Sequence, residues 1–135
     1  MSVTGVQLFS LPVTDQDRAR DFYVDVLGFE LIDDQRMGPA MRWVRVRPPG
    51  AETAITLVTW FDSMPAGSLR GLVLETADLE ESARTLEEHG VVIEGGVQQA
   101  PWGRYLQFTD PDGNGLILQA STPGGSRFAE SGSAS

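Results

Sequence analysis

A chain of 135 residues, 41% hydrophobic and 21% charged, is large enough to bury one sizeable core and too short for two ordinary domains. Its formal charge of −9 argues against a nucleic-acid surface, which needs clustered Lys and Arg, and would steer cationic small ligands toward the protein. Zero cysteines exclude disulfides, thiolate nucleophiles and thiolate metal sites, and the single histidine excludes any site needing two imidazoles from one chain.

No run approaches membrane-spanning length. The start MSVTGVQLF has no basic region followed by an apolar stretch, so no export signal is expected and the cytoplasm is the expected location. Val6 to Val13 is an apolar-rich, alternating strand, and Asp15 after it is placed to cap a helix beginning DRARDFYVDVLGF. Ala19, Phe22, Tyr23, Val26 and Leu27 share one face of that helix, and Gly28 stops it. The chain goes on through FELIDD into MRWVRVRPPG and AITLVTWF, two strand-like runs joined by a Pro/Gly turn, and the unit reads β-α-β-β-β.

The second half repeats this order. RGLVLETAD is strand-like, Asp78 caps a helix with Glu81 placed for a capping box, and Leu79, Ala83 and Leu86 make its buried stripe. Gly90 stops the helix. VVIEGG, GRYLQFTD and LILQAS follow as strands, the last two joined by the turn DPDGNG. From capping Asp to terminating Gly is thirteen residues in the first half and twelve in the second, the spacing that duplication of one β-α-β-β-β module leaves. The Gly-rich tail 122–135 is expected to be disordered.

The segments LPVTDQDRARDFYVDVLGFEL and APWGRYLQFTDPDGNGLIL, with a doubled βαβββ pattern between and around them, resemble the vicinal oxygen chelate superfamily, also called the glyoxalase, bleomycin-resistance and extradiol-dioxygenase superfamily. The resemblance runs from about Val6 to Gln119. It implies an α+β fold in one domain, 1–121, with module 1 at about 5–62 and module 2 at about 69–121. Their curved mixed sheets would form a cup, completed in a homodimer.

Metal-dependent members take two ligands from each module. The resemblance puts those positions at Leu8, Thr56, Leu72 and Ile117, of which only the Thr hydroxyl has a lone pair, and a poor one for Zn, Ni or Fe. No metal or other cofactor is therefore expected. His89, in the last turn of the second helix, suits a bond to terminal carbonyls. The acidic pairs Asp33–Asp34, Glu80–Glu81 and Glu87–Glu88 read as solvated groups in a loop or on a helix. DPDGN reads mainly as a turn, with Asp110 and Asp112 bonding nearby amides.

Strand alternation sorts the remaining side chains between a helix-packed face and the cup. Leu8 and Ser10, then Thr56, Val58 and Trp60, fall on the cup side, as do Met41, Trp43 and Arg45. From the second half come Leu72 and Leu74, Tyr105 and Gln107, and Ile117 with Gln119, with Trp102 nearby. Aromatic walls with few ionisable groups suit binding of a planar or conjugated molecule, oriented by Arg45, Gln107 and Gln119. The tryptophans could instead fill the core or a dimer seam.

Three functions compete. The first is a metal-free binding protein of the bleomycin-resistance type, with no catalytic residue, that sequesters a hydrophobic or aromatic natural product. The second is a lyase, isomerase or oxygenase with an atypical or absent metal site. The third is a ligand-responsive regulator. No nucleic acid and no membrane is expected among the partners.

Overall fold

The computed structural model describes residues 1–121; the expectation for the tail 122–135 lies outside them. The first compact unit comprises residues 1–69 together with Asp110–Asn114. It contains β1 (Leu8–Pro12), α1 (Gln16–Asp21), β2 (Glu30–Arg36), β3 (Arg42–Arg47) and β4 (Ala54–Val58). Asp15 caps α1 as its sequence position requires, its carboxylate accepting from the Arg18 amide at 3.1 Å. α1 passes directly into a π-helical segment, Phe22–Val26, in which the Leu27 amide bonds the Phe22 carbonyl at 3.1 Å. The wider turn lets two consecutive aromatics, Phe22 and Tyr23, both bury. Gly28, at φ 77°, then ends the helix.

The strands form a sheet in the order β1-β4-β3-β2, with β1 and β4 parallel and the other pairs antiparallel. α1 packs against β3 and β4. Leu11, Val44, Val46 and Leu57 are wholly buried, as are Ala19 and Tyr23 of the helical segment. The Gln16 amide ties the helix to the sheet, donating at 2.8 Å to the carbonyls of both Arg42 and Leu57.

The second unit, residues 70–109 and 115 onward, repeats the design with β5 (Leu72–Glu75), α2 (Leu79–Glu88), β6 (Glu94–Ala100), β7 (Gly103–Thr109) and β8 (Gly115–Ser121). Its sheet order is β5-β8-β7-β6, with β5 and β8 parallel. Asp78 caps α2 through the Glu81 amide at 3.0 Å. The Asp78 amide is satisfied by the Thr76 hydroxyl at 3.3 Å instead of by Glu81, so the expected capping box is half formed. His89 Nδ1 lies 2.9 Å from the Thr85 carbonyl, the terminal-carbonyl role its position predicts. The two βαβββ units make the α+β fold that the sequence implies.

Several local expectations need correction. β1 begins at Leu8 and not at Val6, and Val91–Ile93 precede β6. Leu72 and Leu74 do not share a face with Ile117 and Gln119. Leu72 pairs with Leu116 and Leu74 with Leu118, whereas Val73 pairs with Ile117 and Glu75 with Gln119. Since Leu116 and Leu118 are buried with Leu106 and Phe108, Leu72 belongs to the core face and Val73 to the other. Asp33 and Asp34 lie in β2, not in a loop.

Candidate ligand-binding site

The sheet face of the first unit that carries Ser10, Thr56 and Arg45 is the one turned away from α1, because Leu11, Val44, Val46 and Leu57 occupy the opposite parity. A polar row crosses this face in register: Ser10 beside Thr56, Thr56 beside Arg45, Arg45 beside Asp33. A bulge between Leu31 and Asp33 is what aims Asp33, and not Ile32, at Arg45. The guanidinium then grips the carboxylate through Nε at 2.9 Å and Nη2 at 2.6 Å. Those hydrogen bonds hold the Asp33 carboxyl below its ordinary value and raise that of Arg45. Thr56 is 0% exposed, and its hydroxyl has no hydrogen-bond partner among the described residues.

Next along the same face stands an aromatic run. Trp43 and Trp60 meet edge to face with ring centroids 5.6 Å apart, and Phe61 continues from Trp60 at 6.2 Å. Both tryptophans are half-buried and Phe61 is exposed. Leu8 is half-buried on this face, Val58 is buried, and Met41 is exposed just before β3. The face thus combines apolar ring area with a few fixed polar groups, the combination that binds and orients an organic ligand.

Where β1 and β4 end, a cavity of about 350 Å³ opens in the same unit, lined by Pro12, Val58, Phe61, Met64 and Pro65 among others. Sequence reasoning identified Val58 but not Pro12 of β1, nor Phe61, Met64 and Pro65 in the connection after β4, where the one signal is the turn-forming run MPAGS. The segment Asp110–Asn114 returns to this unit as a staple. Asp110, 4% exposed, accepts the Tyr23 hydroxyl at 2.9 Å, the Asn114 side chain at 2.9 Å and the amides of Asp112 and Asn114. Asn114 in turn donates to the Pro12 carbonyl at 2.8 Å and accepts from the Leu69 amide at 3.1 Å. Burial first, then the adjacent Asp110 charge, push the Tyr23 phenol up, so it remains a donor. DPDGN is a turn, as expected, and one whose side chains hold three other segments of the first unit.

In the second unit, Tyr105 and Gln107 pair with Gln119 and Ile117 on the face turned away from Leu106 and Phe108. Gln119 donates to the Ser121 hydroxyl at 3.0 Å, which donates to Glu75 at 2.8 Å. Val73, 51% exposed, takes the place expected for Leu72. Trp102 sits in the turn between β6 and β7 and is 38% exposed. Leu72 and Leu74 are the residues expected in the cup that the register turns to the core.

The family model for the glyoxalase/bleomycin resistance protein/dioxygenase superfamily matches residues 5–118. The chain belongs to this superfamily. Among solved structures of the superfamily's fold, it is similar to TnmS3, an antibiotic binding protein from Streptomyces sp. CB03234, with 48% identity and a TM-score of 0.85 over 90% of this chain and 99% of that one. A member of the glyoxalase/bleomycin resistance protein/dioxygenase superfamily from Sphaerobacter thermophilus DSM 20745 matches with 38% identity and a TM-score of 0.80, over 88% and 98%. The uncharacterized protein YetH of Bacillus subtilis (strain 168) is 36% identical over 79% of this chain and 90% of its own length.

The metal that many superfamily members use does not fit the residues found here. At the positions that the family resemblance marks, Leu8 and Ile117 have no donor atom and Thr56 has one weak neutral donor. Leu72 has none either. The equivalent backbone bonds Val13 to Val58 and Thr76 to Gln119 make Gly71, rather than Leu72, the counterpart of Leu8 in the second unit's sequence, and glycine brings no ligand. Among the described residues, no three of His, Cys, Asp or Glu come together as a metal would require. No helix among them is long and apolar enough to cross a membrane.

Proposed function

We propose that this protein is a small-molecule binding protein that captures a hydrophobic or aromatic natural product, an antibiotic among the candidates, and releases it chemically unchanged. The observation that carries this reading is the run Trp43–Trp60–Phe61 on the sheet face that also holds the buried Thr56 hydroxyl, which has no hydrogen-bond partner among the described residues. The likeness to an antibiotic binding protein at 48% identity supports it. In this reading the rings supply stacking area and Thr56, Ser10 and Arg45 orient the ligand. No metal takes part in this reading. Pairing of two copies in a homodimer in the cytoplasm belongs to the same proposal, and sedimentation showing only monomer at micromolar concentration would reject that part.

A conjugated aromatic ligand should quench intrinsic fluorescence to a saturable endpoint, insensitively to EDTA, and be recovered intact after denaturation. Trp43→Ala or Trp60→Ala removes stacking worth roughly 1–3 kcal/mol, so affinity should fall about tenfold to a hundredfold. A tryptophan that only filled the core would instead lower the melting temperature and leave the affinity of the folded protein unchanged. Recovery of a converted ligand would replace capture by catalysis.

A further inference from the structure

The cavity at the end of β1 and β4 has a chemical character different from the aromatic run beside it. The register pair Pro12 and Val58 lines it together with Phe61, Met64 and Pro65, and Thr14 and Thr59 add polar groups to the lining. At about 350 Å³ it lies near the lower end of the roughly 300–1,000 Å³ usual for small-molecule sites. The connection that forms its walls is held in shape by two tight turns, the Met64 amide bonding the Phe61 carbonyl and the Ser68 amide the Pro65 carbonyl, each at 3.0 Å. Beyond them, Gly67 at φ +85° lies so close to Asp112 that a Cβ there would collide with the Asp112 carbonyl oxygen. The Leu69 amide is fixed on the Asn114 side chain. The staple segment 110–114 therefore holds the cavity wall in place.

The charges around this cavity are unbalanced. Asp62 lines it and has no ion-pair or hydrogen-bond partner among the described residues. Arg18 reaches the lining residue Thr14 at 3.2 Å but is neutralised by Asp112 at 3.1 Å. Asp15, next to Thr14, is a further negative group. A cavity of mixed lining, with the Phe61 ring beside a carboxylate that has no counter-ion among the described residues, in a chain of net charge −9, favours an organic cation over a neutral molecule of the same shape.

We propose that this cavity is a subsite for a protonated amine carried on a small aliphatic or aryl body, with Asp62 as its counter-charge and Phe61 as the ring it lies against. As the amine-binding end of a captured ligand, it rests on the capture reading above. Benzylammonium and its neutral counterpart benzyl alcohol test it, titrated against the whole chain with amide shifts followed by NMR. The amides of residues 58–66 should move, and benzylammonium should bind at least about threefold more tightly, an advantage that about 0.5 M salt removes. Asp62→Asn, at an exposed position, should bring the two affinities together while leaving benzyl alcohol binding intact. Met64→Trp should fill the cavity and weaken both. Equal affinities in the unaltered protein, a preference that survives Asp62→Asn, or shifts mapping elsewhere would overturn the subsite. Fluorescence quenching by a conjugated ligand reports separately: if it occurs without any amine preference, capture stands and the subsite falls. If the amine preference holds without quenching, the subsite stands and capture by the aromatic run falls.

Discussion

Two buried hydroxyls in the first unit show how the same chemical group takes opposite roles. The Tyr23 hydroxyl spends its proton on Asp110 at 2.9 Å, and its removal would strip one donor from a buried carboxylate. Thr56, equally buried, has nothing to bond among the described residues. A buried polar group without a partner costs about 1–3 kcal/mol, so Thr56 weakens the unliganded fold while offering a ligand an unused hydrogen bond. Thr56→Val keeps the branched shape and removes the hydroxyl. It should therefore raise stability by about 1 kcal/mol in urea titration while lowering the affinity for a captured ligand. A variant less stable than the parent would mean that the hydroxyl is satisfied, and the anchoring role assigned to it would be lost.

At the scale of elements, β2 carries two neighbouring aspartates to opposite faces, and each is gripped by an arginine of β3. On the helix side, Asp34 accepts from Arg42 at 2.8 and 2.7 Å and from Arg20 of α1 at 3.0 Å, and Arg42 also reaches Asp17 at 2.8 Å. The Arg42 hydrogen bonds, more than any other cause, hold Asp34 down to about 2. A carboxyl depressed in the folded state stabilises fully above its unfolded value near 3.8, and that contribution is lost as pH falls through about 2. Asp34→Asn should thus cost about 1 kcal/mol at neutral pH, given solvent screening, and flatten the loss of stability between about pH 4 and 2. Denaturation curves at a series of pH values check this; a parallel offset at all pH values would contradict it. Little of this network was legible in the sequence, because an Asp-Asp pair reads the same in a loop and in a bulged strand. The helix caps were legible, since Asp15 and Asp78 precede amphipathic runs ended by Gly28 and Gly90. Leu72 was misplaced for a physical reason: Leu72, Val73 and Leu74 are all apolar, so alternation cannot reveal the parity of β5, and only the pairing with β8 does. The cavity was missed because its walls come from a connection without periodicity.

The chain as a whole is less divisible than its duplicated sequence suggests. The first unit takes in Asp110–Asn114 from far along the chain, and the bonds that Asp110 and Asn114 make to Tyr23 and Pro12 are buried. A fragment of residues 1–69 contains β1 to β4 and α1 but leaves the Tyr23 hydroxyl, the Pro12 carbonyl and the Leu69 amide without the partners they have in the intact chain. Each buried group left unbonded costs about 1–3 kcal/mol, so the Tyr23 hydroxyl and the Pro12 carbonyl together amount to several kcal/mol. A domain is stable by only about 5–15 kcal/mol in total, and half a domain buries proportionally less surface. The fragment should therefore fail to fold alone, giving narrow amide dispersion in NMR and no cooperative thermal transition, whereas the whole chain should unfold in one step by both circular dichroism and fluorescence. Asn114→Ala in the whole chain removes two of the same bonds and should lower stability by about 3 kcal/mol. A fragment 1–69 with well-dispersed amides and a sharp melting transition would show that the first module folds independently, and that the one-domain organisation proposed for 1–121 is wrong.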